Sequence, residues 1–447
     1  MRASILTLSL ALTACAGGPA VLQPLGWTPS SLPAETADTD APSAYPMDIA
    51  TLLRLAGEKP LAIEIARAQA RAAAAEEDAA LMAWLPKLQP RIELLRHEGL
   101  LQHSGGGFES IDSRNSFGGI ALDLRLQPGD AWYSELVAAQ RRRASEFGIR
   151  AAQHVNVAQA MRFYYQLLQE TASERVMDQA IEHAEQLVAT EEERHKQGIG
   201  LQAQVLRAQA FLAETQGRRA QIEALRRTNE ARLRALLLLP EETELIPSDP
   251  TIVPIRFEEA KLPMADLLDR ALTSRPDLRR FQALAHAAEF EHERVAWSWL
   301  IPEIHAGASH GEFGKDLSSD LRHREDYYAG LLWELDFGRI ARARAAGARS
   351  DEAQLRAELL RQTIRAELQA ARASIHSTQQ RMAAATREVE AADAALALVE
   401  ARHEQGRALL VELLDAQRAR SAAGISLVRA VCEQNQAQFE LRRILGD

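Results

Sequence analysis

Two carboxylates, Glu412 and Asp415, lie three residues apart in the stretch LVELLDAQ. If this stretch is a helix, the spacing puts both side chains on one face, where they could attract a cation. A matching stretch, QAQVLRAQ, lies 208 residues earlier, and its equivalent residues are Gln204 and Arg207. Either the acids form a site that only one of the two stretches carries, or they belong to an ordinary solvated helix face.

No other residues form a pattern typical of a catalytic or metal site. The chain has no phosphate-binding glycine loop, no zinc-ligand spacing and no His-Glu-x-x-His, and its 12 histidines are scattered. No nucleophile can be matched with a base and an orienting partner. We therefore predict that the protein is not an enzyme and uses neither a cofactor nor a metal. The formal charge of −10, without a basic block, argues against a nucleic-acid partner.

The N-terminus, MRASILTLSLALTAC, has an arginine, an apolar run too short for a finished membrane helix, and small residues before Cys15. This order resembles a bacterial lipobox. It predicts a lipoprotein signal peptide over residues 1–14 and acylation of Cys15, for example by palmitate; ordinary signal cleavage is the alternative. Ala16, in place of an aspartate, favours sorting to the outer membrane. Because Cys432 is the only other cysteine, no disulfide within the chain is expected.

The mature chain is a twofold repeat. The stretches EERHKQGIGLQAQVLRAQ and EARHEQGRALLVELLDAQ match at an offset of 208, and a second pair matches at 216, which aligns Pro60 with Pro276 and Pro86 with Pro302. Proline suits the first turn of a helix and breaks a helix farther along, so equivalent segments start and stop at equivalent points. After the signal peptide we predict a lipid-anchored, proline-rich linker, repeat 1, a connector and repeat 2, at residues 15–46, 47–239, 240–263 and 264–447.

Alternation of apolar with other residues follows the helix-ending prolines and predicts one β-hairpin in each repeat, over 88–127 and 303–337. Loops are expected at 98–115 and 311–324, which leaves strands of about ten residues, long enough to cross a bilayer when tilted. Four such strands cannot close in lipid, where each unpaired backbone group costs several kcal/mol. Either the strands lie outside a membrane or several chains combine them, and three chains would give twelve strands.

Two long helices are predicted, and each is retraced by two shorter ones. At 1.5 Å per residue, a helix over 130–196 is ~100 Å long, and one over 339–404 is about equally long. Two shorter helices laid end to end come to about 95 Å. The sequence therefore predicts a long cylinder of antiparallel helices, with the bends at 197–201 and 405–409 at one end and the strands at the other. The shorter helices are expected at 201–239 with 276–300, and at 60–85 with 409–445.

With its lipobox, its twofold repeat and its order of helices and hairpins, the chain resembles the TolC-like outer-membrane efflux protein family. The resemblance covers residues 47–446. The pattern LDFGR at 335–339 and the stretch LLVELLDAQ after Gly406 look like hallmarks of that family. The resemblance implies a mainly α fold with a membrane β-hairpin pair and a twofold internal repeat. It also implies assembly into a trimeric 12-stranded β-barrel, continued by a long α-helical barrel in the periplasm. Acylation at Cys15 would place the chain in the lipid-anchored branch.

The resemblance also implies a function. The chain would be the outer-membrane channel, or export duct, of a tripartite efflux or secretion system, a homotrimer that works with a periplasmic adaptor and an inner-membrane pump. It would lie in the outer membrane, contact its lipid and extend into the periplasm. Drug efflux, metal efflux and protein secretion stay open as its task. The alternative is a periplasmic coiled-coil structural or adaptor lipoprotein without a pore, which the membrane-length strands disfavour.

The gate and the partner contacts follow from the same resemblance. The bends would be the periplasmic tips, and the gate would lie just after the second bend, where Glu412 and Asp415 hold the positions of two lumen-facing acids. The family locks its gate with an arginine near the second bend and an acid in the first. Here Arg407 stands one residue early and Gln204 replaces the acid, so the lock could be weaker, or Arg207 could pair with Asp415. The residues expected at the tips, in contact with the adaptor, are Gly198, Ile199, Gly200, Leu201, Gly406, Ala408 and Leu409.

Overall fold

The computed structural model describes residues 44–58, 60–248, 252–316 and 320–446, which belong to one compact unit, Ala44–Asp447. The predicted signal peptide and the predicted anchor at Cys15 lie outside the described residues. Across these ranges, no helix has both the length and the apolar character needed to span a bilayer.

The two halves of the chain contain the same main elements in the same order: shorter helices, a β-hairpin, one long helix and a returning helix. The first half consists of β1 Ala44–Met47, α1 Ile49–Glu58, α2 Leu61–Met82, β2 Lys87–Gln102, β3 Phe108–Leu126, α3 Pro128–Lys196 and α4 Gln202–Leu237. The second consists of β4 Glu244–Pro247, α5 Met264–Ser274, α6 Pro276–Trp297, β5 Glu303–Gly314, β6 Arg322–Leu332, α7 Arg339–Glu404 and α8 Leu410–Leu445. Short 3₁₀ turns lie at Glu258–Lys261 and Ser298–Leu300.

The first β-hairpin is longer, and its loop shorter, than the sequence predicts. β2 and β3 have 16 and 19 residues, and they pair without interruption from Lys87 opposite Asp123 to Gln102 opposite Phe108. The expected loop at 98–115 is therefore wrong, since residues 103–107 alone connect the strands. Ladder hydrogen bonds hold the polar ends of the strands in place, although no apolar alternation marks them in the sequence.

The second hairpin departs from the prediction at both ends. β5 and β6 have 12 and 11 residues and are joined by residues 315–321, not by 311–324. The prediction that a strand continues to residue 337 is also wrong, because the ladder ends where Leu332 pairs with Glu303. Beyond that pair β5 offers no partner. The Asp336 carboxylate instead accepts a hydrogen bond from the Gly338 N–H at 2.8 Å, which turns the chain toward α7.

The predicted linker and connector contribute a small parallel pair of strands. β1 pairs with β4, with Ala44 opposite Glu244, so residues 44–46 belong to the folded unit and not to an extended linker. The Tyr164 hydroxyl on α3 donates to the Met47 carbonyl at 3.2 Å and ties this pair to the helices. No sequence pattern indicates this pairing, because each strand has only four residues and the two lie 200 positions apart in the chain.

The four longer strands form one antiparallel sheet in the order β2-β3-β5-β6. Its register aligns an apolar residue of each strand in one row across one face: Leu88, Leu122, Ala308 and Tyr327. The opposite face carries Asp123, which accepts a hydrogen bond from the Tyr328 hydroxyl at 2.6 Å. One apolar face and one polar face are what a strand period of two produces when lipid lies on one side and water on the other.

The helices form a layer that repeats the order of the sheet. α3 packs against α2 and α6 along its first part and against α4 and α8 along its last part, and α7 packs against α6 and α8. The order across the layer is therefore α2 or α4, then α3, then α6 or α8, then α7. Among the described residues no substantial packing joins α7 to α2 or α4. The layer thus has two free edges, as the sheet has free edges at β2 and β6.

Three apolar clusters hold the helices together. The first surrounds β1 and includes Tyr164, Leu237 and Cys432, all fully buried. Burial raises the pKa of the Cys432 thiol to about 12, so this cysteine is a packing residue and not a reactive one. The second cluster joins α5, α7 and α8 around Leu267 and Leu368. The third lies beside the helical bends.

Candidate gate at the helical tips

Both helical bends contain a glycine in the same backbone conformation. α3 ends at Lys196 and α4 begins at Gln202, while α7 ends at Glu404 and α8 begins at Leu410. Between them Gly198 and Gly406 have φ of +76° and +69°, the left-handed conformation that glycine adopts without steric cost. The two bends are therefore placed by local sequence, through a glycine just past the end of each long helix.

A histidine in the last turn of each long helix closes each bend. His195 Nδ1 lies 3.1 Å from the Gly200 carbonyl oxygen, and His403 Nδ1 lies 3.1 Å from the Ala408 carbonyl oxygen. Because a carbonyl oxygen only accepts, Nδ1 carries the hydrogen in both rings. The two histidines are equivalent at the offset of 208, so the repeat conserves this contact within the chain.

The second histidine also joins the two repeats. His403 Nε2 lies 3.3 Å from Glu191 Oε1 on α3, and Arg194 Nη1 lies 3.2 Å from each of these atoms. Glu191 is 1% exposed and His403 is 7% exposed. We call Glu191, Arg194 and His403 the tip cluster. A buried carboxylate needs such partners, because desolvating an unpaired charge is costly.

The sequence reasoning missed the tip cluster. One signal was available: the residue equivalent to Glu191 in repeat 2 is Val399. A position that is apolar in one copy of a repeat is expected to be buried, so a carboxylate in the other copy requires a partner. Beside the cluster, apolar side chains of α3, α4 and α8 are packed together: Ala184, Leu187, Ala208, Phe211, Leu410, Leu413 and Leu414.

Glu412 and Asp415 lie at the start of α8. The Asp415 side chain is 68% exposed, and Glu412 is half-buried. Arg418, one turn farther along, donates from Nη1 to Asp415 Oδ1 at 3.1 Å and from Nη2 to Glu214 Oε2 at 2.9 Å. The hydrogen bond from Arg418 lowers the pKa of Glu214. Arg418, and not Arg207, is therefore the partner of Asp415 within the chain.

A family model described as outer membrane efflux protein matches residues 52–237 and 267–447, one segment in each repeat. The chain belongs to the outer membrane efflux protein family. A comparison with curated protein sequences gives no significant match.

Solved structures share the fold at low sequence identity. The outer-membrane channel OprN is 22% identical with a TM-score of 0.77, over 89% of this chain and 89% of OprN. The CmeC outer membrane channel of Campylobacter jejuni is 14% identical with a TM-score of 0.77, over 89% of this chain and 85% of CmeC. The outer membrane protein VceC of Vibrio cholerae is 17% identical with a TM-score of 0.76, over 89% of this chain and 96% of VceC.

The family and the fold confirm the main predictions from the sequence. The fold class is that of the trimeric channels in which a β-barrel continues into an α-helical barrel, and one chain of this efflux protein supplies four strands whose sheet is not closed. The chain is the outer-membrane duct of a tripartite export system, and the alternative of an adaptor without a pore is set aside. The family consists of transport channels.

The other predicted gate residues of the efflux protein do not meet the two acids within one chain. Gln204 is occupied in capping α4, where its side-chain oxygen accepts a hydrogen bond from the Leu201 N–H at 3.1 Å. Arg407 is exposed, and its carbonyl oxygen accepts a hydrogen bond from Arg402 at 3.3 Å. The side chains of Arg207 and Arg407 form no hydrogen bond or ion pair with any residue that the structure describes.

The predicted tip residues lie at the bends, and three of them expose large apolar side chains. Ile199, Leu201 and Leu409 are 78%, 69% and 66% exposed. Gly198 and Gly406 are exposed at the turns themselves, while Gly200 and Ala408, whose carbonyls bond the histidines, are half-buried. The tips therefore present apolar side chains on a hydrogen-bonded backbone.

Proposed function

We propose that three copies of the chain close into one export duct, and one observation carries this proposal. The sheet and the helical layer run in the same order and are open at corresponding edges, β2 with α2 and α4 on one side and β6 with α7 on the other. A rotation that brings β6 of one copy to β2 of the next also brings α7 to α2 and α4. Three copies supply twelve strands and one continuous wall of helices.

The free edge of α7 supports this assembly. Leu355 and Leu359 are each 68% exposed, and each lies two residues, or about 200° of helix rotation, from the buried Ala357. They therefore face away from α6 and α8. Just before the N-terminus of the same helix, Phe337 is 89% exposed. Exposed apolar side chains in a row mark an interface, and a neighbouring copy is the partner that the open edges require.

Membrane insertion requires the same closure. The edges of β2 and β6 have backbone N–H and C=O groups without partners in the sheet. In lipid each such group costs several kcal/mol, so a four-stranded sheet is not stable there, whereas a closed barrel leaves none unpaired. The apolar face that contains Leu88 and Tyr327 would contact lipid, and the face that contains Asp123 would line the lumen.

The finer features of the duct are part of the proposal. Cys15 would be acylated after removal of residues 1–14 and would add a lipid anchor to the barrel. The long helices would extend into the periplasm, where the exposed Ile199, Leu201 and Leu409 would contact the adaptor that links the duct to an inner-membrane pump. The protein would act by conduction alone, without a catalytic step.

The gate would lie at the start of α8. Three chains would place three copies each of Glu412 and Asp415 around the narrow end of the helical barrel, where like charges favour passing cations. The structure adds Arg418 to this arrangement, since its guanidinium neutralises part of the Asp415 charge. Glu412, without a side-chain hydrogen bond or ion pair to the described residues, would then be the stronger contributor to the field.

The assembly is tested by mass. The protein, extracted from membranes in mild detergent, is expected to have about three times the mass of one chain, which is 49.3 kDa before the proposed removal of residues 1–14. Leu355→Glu with Leu359→Glu should dissociate it, because two carboxylates would be buried at the proposed interface. Ile199→Glu, in the exposed bend between α3 and α4 and outside the packed faces of the helices, is the matched control and should leave the trimer intact. A monomeric wild-type protein under these conditions would rule out the closed duct.

The lipid anchor needs a separate experiment. Cells that grow with labelled palmitate should label the wild-type protein, and Cys15→Ala should abolish the label. Cys432→Ala is the control and should label normally, because that thiol is buried. Equal labelling of the wild type and the Cys15→Ala variant would contradict the predicted lipobox. This outcome would leave the trimer proposal untouched.

A further inference from the structure

The hairpin β5–β6 brings together three side chains that can bind a metal ion. His310 on β5 lies directly opposite Glu325 on β6, and His323 precedes Glu325 by two residues and therefore lies on the same face. One ligand atom from each of the three lies within 4.8 Å of the other two. The two imidazole rings are 4.6 Å apart between centroids. All three side chains are exposed. They lie on the face that carries Tyr327, but beyond its apolar residues and toward residues 315–321, so an ion can reach them from solvent at this end of the hairpin.

The spacing of these atoms fits a tetrahedral ion. His310 Nδ1 lies 3.3 Å from Glu325 Oε1, and His323 Nε2 lies 3.0 Å from the same oxygen. Ligands at ~2.0–2.1 Å from a tetrahedral zinc ion are separated from one another by about 3.3 Å. Two of the three ligand separations therefore already have the size that a bound ion would impose.

The donor set selects the class of ion. Two neutral imidazole nitrogens and one carboxylate oxygen suit zinc and its neighbours in the first transition row, whereas calcium and magnesium prefer oxygen ligands alone. The Tyr327 hydroxyl donates to the second oxygen of Glu325 at 3.0 Å. Such a contact orients a ligating carboxylate and is typical of the groups that surround metal ligands.

We propose that His310, His323 and Glu325 bind one divalent transition-metal ion of the zinc class, with a fourth position open to water. All three ligands come from one chain, so the site does not depend on the trimer or on the gate. The ion would join β5 to β6 near the end of their ladder, which runs from Glu303 to Phe313 on β5. Metal binding would therefore stabilise the pairing of β5 with β6.

The site revises the sequence-based expectation of no metal. The ligands did not stand out there, because two histidines 13 residues apart have no recognised zinc spacing. The register of the hairpin alone places His310 against Glu325. A one-residue slip of that register would turn His310 to the opposite face and abolish the cluster.

Zinc titration of the untagged, full-length protein in detergent tests the proposal. The measurement is made on the Glu412→Ala, Asp415→Ala background, so that the acids at the tip contribute no binding, and a chromophoric chelator competes for the ion. One zinc ion per chain is expected. His310→Ala with His323→Ala should weaken binding at least tenfold. Because these side chains are exposed, the variant should keep the size and circular dichroism of its parent.

Controls and a spectroscopic readout make the test specific. His97→Ala with His183→Ala removes two other exposed histidines and should leave zinc affinity unchanged. Cobalt bound in place of zinc should give the visible absorption of a tetrahedral ion, and Glu325→Gln should change that spectrum. Equal zinc affinity in the His310, His323 double variant and its parent, or zinc binding below one ion per chain, would overturn the site.

Discussion

The tip of repeat 1 and the tip of repeat 2 have the same left-handed glycine and the same histidine bonded to a bend carbonyl, yet His195 is exposed and His403 is buried. The difference arises because His403 lies against α3, where it meets Glu191, while His195 meets no such partner in the part of the chain that the structure describes. The similar local sequences therefore give the two bends the same backbone conformation, but the two histidines have different surroundings. The chain contains two copies of the helical hairpin. Where they pack against each other, His403 of the second copy also contacts α3 of the first and so joins the two repeats.

The largest expected difference between the tips concerns their histidines. His403→Ala removes the buried acceptor of the Arg194 hydrogen bond and the contact with the Ala408 carbonyl, which should cost about 2 kcal/mol of local stability. His195→Ala removes an exposed hydrogen bond and should cost about 0.5 kcal/mol. Hydrogen exchange of the amides around each bend measures the two costs, and 2 kcal/mol corresponds to roughly 30-fold faster exchange. Equal acceleration at both tips would contradict the role of the tip cluster.

The glycines should behave alike, in contrast to the histidines. Gly198→Ala and Gly406→Ala should each cost about 1 kcal/mol, because alanine in the left-handed region is strained. A Cβ at either glycine would meet no atom within 4 Å, so packing adds nothing to this strain. Gly217→Ala in the middle of α4 is the control, and it should stabilise the helix by about 0.5–1 kcal/mol. Exchange rates at the two bends that differ by more than tenfold would show that the bends are not equivalent.

The acids of the second tip should affect conduction and not stability. Glu412→Ala with Asp415→Ala should lower the cation-over-anion permeability ratio in planar bilayers about two- to fivefold. A charge 4–8 Å from a passing ion in water contributes about 0.5–1 kcal/mol. Block by divalent and trivalent cations should weaken as well. Gln204→Ala, at the equivalent position of the first tip, should change neither property. If the double variant keeps its selectivity and its block, the acids belong to a solvated face.

The smallest effect is expected for Arg418, whose equivalent in repeat 1 is Ala210. Arg418→Ala makes the second tip resemble the first and removes exposed ion pairs to Asp415 and Glu214, worth about 0.2–1 kcal/mol. Thermal unfolding should shift only slightly, while cation selectivity should rise, because Asp415 regains its full charge. A fall in cation selectivity would show that Arg418 does not act on the field of Asp415.

Much of the fold could be predicted because its signals are local. The glycines of the bends, the prolines beside helix ends and the period of two in the strands each act within a few residues, and their repetition at 208 and 216 identified the repeat. The strand lengths and the β1–β4 pair could not be predicted in the same way. A polar residue stays in a strand when its backbone finds a partner, and the identity of that partner depends on distant chain segments.

The sequence by itself determined where the chain bends, which segments are helices and which face of each strand is apolar, since steric strain and side-chain periodicity do not depend on distant contacts. Only the tertiary structure decided which of two equivalent histidines is buried, that Asp415 pairs with Arg418, and that His310 and His323 share Glu325. These outcomes depend on which helices and strands become neighbours, and at what register. Hydrogen bonds and ion pairs act over only a few ångströms, so residues far apart in the chain acquire a role when packing brings them within that distance.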